Sequence, residues 1–381
     1  MNKSAFGRVA LFLGAVLTAF LAGCGGLSTR LTPDPSPAPS LAAHGTFVFV
    51  TGNESGNEPT DGYRLNPDGT LTAVPGSPFP IAGTLAASGR FLLSASQNSL
   101  TSYRVDPATG VPRQAASVAA LSFPDAIGAD ARAVYVAGTT RTFDTVVAGF
   151  SVADSGELTP LPGSPYMFQP ACDINIDCPL PLFSNLALNS SFLALGVIGF
   201  HGAGGITIYP RDNNDALGQP QGAGVEEQGA VALQPPSGNV AFSNDFSAGF
   251  VDSYLLDPSG KPTQQAFLTT SFRVMDERID VTGKFLLVLD SLGAVHVFKI
   301  DSATAGLSEI GVSDPAGDGA TLIAMDPSGR FVIVAQASNQ ATPAPPDQIT
   351  VYSFDPASAA MKKLQSYPVG KLPSSIAIVA E

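Results

Sequence analysis

Leu322-Ile-Ala-Met325, then Asp326-Pro-Ser-Gly-Arg330, then Phe331-Val-Ile-Val-Ala335, and after a loop Ile349-Thr-Val-Tyr-Ser-Phe354-Asp355-Pro356, is the stretch whose reading decides the fold. The first two apolar runs are short and nearly continuous, which suits strands covered on both faces. The third alternates more openly, and 361–367 supplies a fourth. The segments between them have turn chemistry. Pro presets φ at the second turn position, Asp or Asn accepts a backbone N–H two residues on, and Gly supplies the positive φ that turns the chain back. The same phrase, an apolar run ending in Tyr or Phe and followed by an acid or amide and a turn, recurs at Tyr63, Tyr103, Phe150, Tyr209, Tyr254, Phe298 and Tyr352. The repeated Asp residues are therefore read as turn formers, not ligands.

These seven aromatics lie 40 to 59 residues apart. Repeats of that length built from short strands and turns predict an all-β, seven-bladed β-propeller of four-stranded antiparallel blades, in which no blade can bury its faces alone. The ends of the repeat region are half-blades. The stretch 375–379 reads as a first strand and 46–51 as a second, so pairing the N- and C-terminal strands in one blade would close the ring and remove open sheet edges. One domain is expected over 44–381.

What precedes it is organised differently. Lys3 and Arg8 lead into an apolar run from Val9 to Phe20, the layout of an export signal and too short for a permanent span. It ends at Leu21-Ala22-Gly23-Cys24, a lipobox pattern, so residues 1–23 are expected to be a lipoprotein signal peptide, with Cys24 lipidated. Several acyl chains would hold the protein on a membrane. Gly25 stands where an inner-membrane retention Asp would be, which favours the outer membrane, at its periplasmic face or surface. Residues 24–43, with Pro33, Pro35, Pro37 and Pro39, read as an extended tether. Without 1–23 the chain has 17 basic against 32 acidic residues, a net charge of −15, which excludes nucleic acid as a partner. Cys172 and Cys178 would form a disulfide in an oxidising envelope, with a metal site including Asp173 and Asp177 as the competing idea.

In blades of this order, the turns after strands one and three share one rim and the loops after strands two and four share the other. Repetition is tight on the first rim and lost on the second, in loops 52–62, 138–145, 163–184, 196–205, 221–229, 269–277 and 336–348, so the second rim is where function is expected. It carries the candidate binding residues Glu54, Arg141, Asp144, Glu226, Glu227, Asp276 and Glu277, and the candidate catalytic residues Asp245, His201 and Arg273. His201 could be a general base or merely solvated. The run from His201 to Gly205 looks like an oxyanion loop, but no Gly-x-Ser-x-Gly elbow accompanies it. Asp173–Asp177 and Asp212–Asp215 offer oxygens for Ca²⁺ without the calcium-loop spacing. No metal or cofactor is expected.

Phrases such as Ile323-Ala-Met-Asp-Pro-Ser-Gly-Arg-Phe331 and Leu85-Ala-Ala-Ser-Gly-Arg-Phe91 resemble the seven-bladed lactonase family, the 6-phosphogluconolactonase-like propellers and their muconate-lactonizing relatives. The resemblance covers 44–381 and implies a lactone hydrolase. The family's functional groups can be placed one at a time. Its His before one inner strand falls at about Ser184. Its Gly-Pro-Arg-His falls at Gln228-Gly229-Ala230. Its Asn-Glu falls at Asn244-Asp245, and a later Asp-Arg pair at Asp290-Ser291. Only the carboxylate is kept, one methylene shorter. Lactone chemistry needs a base and a cation or donor to steady developing charge, and Asp245 alone supplies no cation. The expectation is a monomeric, lipid-anchored envelope propeller that binds a protein or glycan on its irregular rim without catalysis. A lactonase of altered specificity is the alternative. A quinone-dependent redox propeller is disfavoured by the absence of Trp.

Overall fold

The computed structural model describes residues 45–52, 58–142, 144–168, 182–198, 205–223, 229–245, 249–337, 347–370 and 372–380. They form seven sheets of four consecutive antiparallel strands, one sheet carrying an extra short strand, Tyr166–Met167. Blade one is composite: its innermost strand is Pro373–Ala380, followed outward by Thr46–Gly52, Thr60–Leu65 and Leu71–Ala73. Blades two to seven occupy 84–119, 123–160, 182–223, 231–269, 274–312 and 320–368. The closure expected from the two half-blades is present in register, with Phe47 opposite Val379 and Val50 opposite Ile376.

Burial falls off outward along each blade, as the sequence runs suggest. The second strands Phe285–Asp290 and Phe331–Gln336 are buried throughout, whereas the outermost strand Pro112–Ala119 has exposed residues at Arg113, Gln114 and Ala115. The blades hold together face to face. Between blades five and six, Ala232, Phe242 and Val251 pack on Val274, Leu286 and Val288. Fully burying a side chain of this size contributes roughly 1.5–3 kcal/mol. The repeated aromatics belong to these faces: Phe150, Tyr209, Tyr254, Phe298 and Tyr352 are all buried.

The repeated acids close turns. Asp257 Oδ1 accepts from the backbone N–H groups of Ser259 and Lys261, and Asp106 Oδ1 from those of Ala108 and Thr109. Asp326 accepts from the N–H groups of Ser328, Arg330 and Phe331. At Gly110, φ is +81° and a Cβ would lie 2.4 Å from the Phe47 ring of blade one, so glycine is required both by the turn and by the close approach.

Candidate functional site

Five of the seven innermost strands break register one or two residues in from the irregular rim. The residues skipped by the strand register are Ser374 in blade one, Asp125 in blade three, Ser184 in blade four, Met275 in blade six and Thr321 in blade seven. Such bulges re-aim side chains at the mouths of closed sheets. Beneath this ring lies a cavity of about 1070 Å³. Its lining runs from Gln97 and Ser122, on the irregular rim, down to Ala129 and Ile376 in the innermost strands. Among the described residues only two lining side chains are charged, Asp125 and Arg278.

A polar junction closes one side of the channel. Asp276, on the innermost strand of blade six, Val274–Ile279, accepts four hydrogen bonds. Asn185 Nδ2 of blade four donates at 3.3 Å, passing the short innermost strand of blade five, Val231–Leu233. The Ile323 N–H of blade seven donates at 2.9 Å, the Glu277 N–H at 2.9 Å and Arg278 Nη1 at 3.1 Å. One carboxylate thus ties three blades. Burial pushes the Asp276 carboxyl up; Arg278 and the two N–H donors oppose that shift.

Glu277 differs sharply from its neighbour. It is fully buried, and neither carboxyl oxygen has a hydrogen-bond partner among the described residues. Burial, with Asp276 and Asp252 adding repulsion, pushes its carboxyl well above the ordinary carboxylate range, and Arg278 offsets only part. Strand register puts it opposite Val288, on the side facing blade five. Asn244, opposite Val251, faces it from blade five; its Oδ1 accepts from the Ala230 N–H and its Nδ2 is buried without a partner.

The loops expected to carry the site are therefore only part of it. Asp276 and Glu277 are not rim residues: the innermost strand begins at Val274, so both are buried in the sheet, which corrects their placement in loop 269–277. Arg273 immediately precedes this strand, and its carbonyl accepts from the Ser291 N–H at 3.1 Å. Asp245 ends the strand Val240–Asp245, opposite Phe250. Arg141 and Asp144 do lie on the rim, where Arg141 Nη2 is 3.5 Å from Asn98 Oδ1 and Asp144 accepts from Thr142 Oγ1 at 2.5 Å. Glu54, Glu226, Glu227, His201, Cys24, Cys172 and Cys178 lie outside the described residues.

Three residues escaped the sequence reading: Asp125, Arg278 and His296. The signal for Arg278 was present, since Asp276-Glu277-Arg278 puts three charges into what should be an apolar innermost strand. His296 sits on the third strand of blade six, with Nε2 3.2 Å from Asp290 Oδ2, Nδ1 2.8 Å from Glu309 Oε1, and its ring stacked on Phe272 at 3.7 Å. Asp290, placed at the family's Asp-Arg position, also accepts from the Leu292 and Ala294 N–H groups in a hairpin turn. Among the described residues no group of three His, Cys, Asp or Glu side chains is arranged to hold a metal ion.

No protein-family model matches this sequence, and no curated protein matches it. Solved structures do match in fold. The Pseudomonas aeruginosa periplasmic gluconolactonase is 20% identical, with a TM-score of 0.67 over 88% of this chain and 99% of that one. A Bacteroides fragilis protein provisionally assigned as a 6-phosphogluconolactonase is 15% identical, with a TM-score of 0.67 over 91% of this chain and all of that one. A Chaetomium thermophilum protein bound to the N-terminus of a ribosomal protein is 14% identical, with a TM-score of 0.53 over 86% of this chain and 84% of that one.

Proposed function

We propose that this protein is a lipid-anchored propeller of the cell envelope that binds an envelope glycan or protein segment where the channel cavity meets the irregular rim, without catalysis. The observation that carries the reading is how the charged groups around the channel are committed. Asp276 is spent on four donors, Arg278 Nη1 is spent on Asp276, and Glu277 is sealed between blades without a route to the cavity lining. A hydrolytic site needs a base and an electrophilic donor converging on one reacting carbonyl. Apart from the outer edge of Arg278, these groups hold one another still, which suits recognition.

A lactonase of altered site is the second reading. It is favoured by the fold shared with a periplasmic gluconolactonase and by Asp245 at the rim end of blade five. One preparation of residues 44–381 separates the two. Non-catalytic binding predicts no turnover of gluconolactone, 6-phosphogluconolactone or muconolactone above the buffer rate, together with retention on immobilised peptidoglycan fragments or envelope protein that is weakened when Thr84→Phe narrows the cavity. Turnover that disappears in Asp245→Ala would establish the lactonase instead. Anchoring is tested separately in the full chain: labelled palmitate should be incorporated by the wild type and not by Cys24→Ala.

A further inference from the structure

We infer that the cavity receives its ligand through a single carboxylate, held by the guanidinium of Arg278, and that it discriminates against phosphate esters. The inference deepens the channel-binding reading above and rests on it.

Arg278 is anchored on one side only. Nη1 donates to Asp276 Oδ1 at 3.1 Å and to the Glu277 carbonyl at 2.8 Å, whereas Nε and Nη2 have no acceptor among the described residues. The side chain is 34% exposed and lines the cavity. Nε–H and one Nη2–H project in parallel along one edge of the planar group, a spacing that matches the two oxygens of a carboxylate. That edge is also pre-oriented. Asp276 fixes the guanidinium and is itself fixed by Asn185 and by the Ile323 N–H, so a ligand would not have to order the cation on arrival.

The charge balance selects the anion. Among the described lining residues Arg278 is the one cation and Asp125 the one carboxylate, and Arg278 already bonds Asp276, so the site has no positive charge to spare. A monocarboxylate brings one negative charge, the least an anion can add, and can be met by the two directed hydrogen bonds of the free guanidinium edge. A phosphate ester carries about −1.5 to −2 charges at neutral pH, and no second cation among the described lining residues receives the excess. The remaining wall mixes hydroxyls, from Thr84 and Ser122, with small apolar surface from Ala86 and Ala129. This composition suits a hydroxylated acid, or a glycan bearing one carboxyl group, better than a wholly apolar acid.

Calorimetric titration of the purified protein with gluconate, lactate, glucose and 6-phosphogluconate tests the inference. Gluconate should bind, glucose should not, and 6-phosphogluconate should bind at least about tenfold more weakly than gluconate. Arg278→Gln should weaken gluconate by about tenfold or more, as expected for loss of hydrogen bonds to a charged group. Arg278→Lys should recover only part, because an ammonium lacks the paired edge. Equal or tighter binding of 6-phosphogluconate, no binding of either monocarboxylate in the millimolar range, or an Arg278→Gln affinity within twofold of wild type would each overturn it. Should Arg278→Gln fail to fold by circular dichroism, the ligand charge series and Thr84→Phe, which leaves Arg278 untouched, still decide. Retention of peptidoglycan fragments that depends on Thr84 but without carboxylate binding would remove this inference and leave the channel-binding reading. Loss of both would remove both.

Discussion

Glu277 is the residue whose surroundings depart furthest from ordinary packing. A buried carboxyl with no partner costs stability, and it costs more when ionised. Its folded-state carboxyl is raised above the unfolded value, so the folded state holds the proton more tightly. The associated stability is fully present below the unfolded carboxyl range and is lost as pH rises through the folded value. Glu277→Gln should therefore raise the melting temperature at pH 8 and flatten its decline between acid and neutral pH; thermal melts of both proteins across that range would reveal it. An unchanged pH profile would mean that water reaches the carboxyl. Asp326 is the opposite case, an acid whose oxygens receive three backbone N–H groups. Asp326→Ala leaves those donors without their acceptor and should cost about 2–4 kcal/mol in denaturant unfolding, since hydrogen bonds to charged groups are worth roughly 1.5–3 kcal/mol each but share one group. Asp326→Asn should recover part.

At the scale of strands and blades, apolar faces between neighbours supply most of the cohesion. Leu286 is buried on the face that blade six presents to blade five. Leu286→Ala should destabilise by about 2–5 kcal/mol, measured by urea unfolding, in keeping with large-to-small changes in well-packed cores. This is also the scale at which the sequence is most legible. The continuous run Phe331 to Ala335 and the acid–turn–Gly phrases specify buried strands and their turns locally, so the four-strand unit could be written down before the structure. The bulges could not. Whether Asp125 or Met275 is skipped in the pairing depends on the facing strand, and periodicity along one strand carries no record of its partner. The same limit explains the misplacement of Asp276 and Glu277: charged residues after a polar loop look like more loop, and only the pairing with 285–290 reveals a strand. Arg278, the one cation among the described lining residues, carried a sequence signal in its run of three charges, but not the pairing that would place it in a strand.

At the scale of the whole molecule, the seven repeats and the two half-blades made the closed ring readable from the chain alone, and the register of blade one bears it out. Removing residues 373–380 would strip the innermost strand from blade one and expose Phe47, Phe49 and Val48, which pack against blades two and seven. The truncated protein should lose cooperative thermal unfolding and aggregate; a soluble product with a single sharp transition would contradict the closed-ring account. The contribution from opposite ends also has a temporal consequence. The strand Thr46–Gly52 is made more than 300 residues before its inner partner Pro373–Ala380, so the ring cannot seal until that partner has been synthesised. Domains generally fold as units once their segments are present. If residues 1–23 direct export, as the lipid-anchored reading proposes, that delay would keep the propeller region threadable until 373–380 has been made, and the join in blade one acts as a clock as well as a clasp.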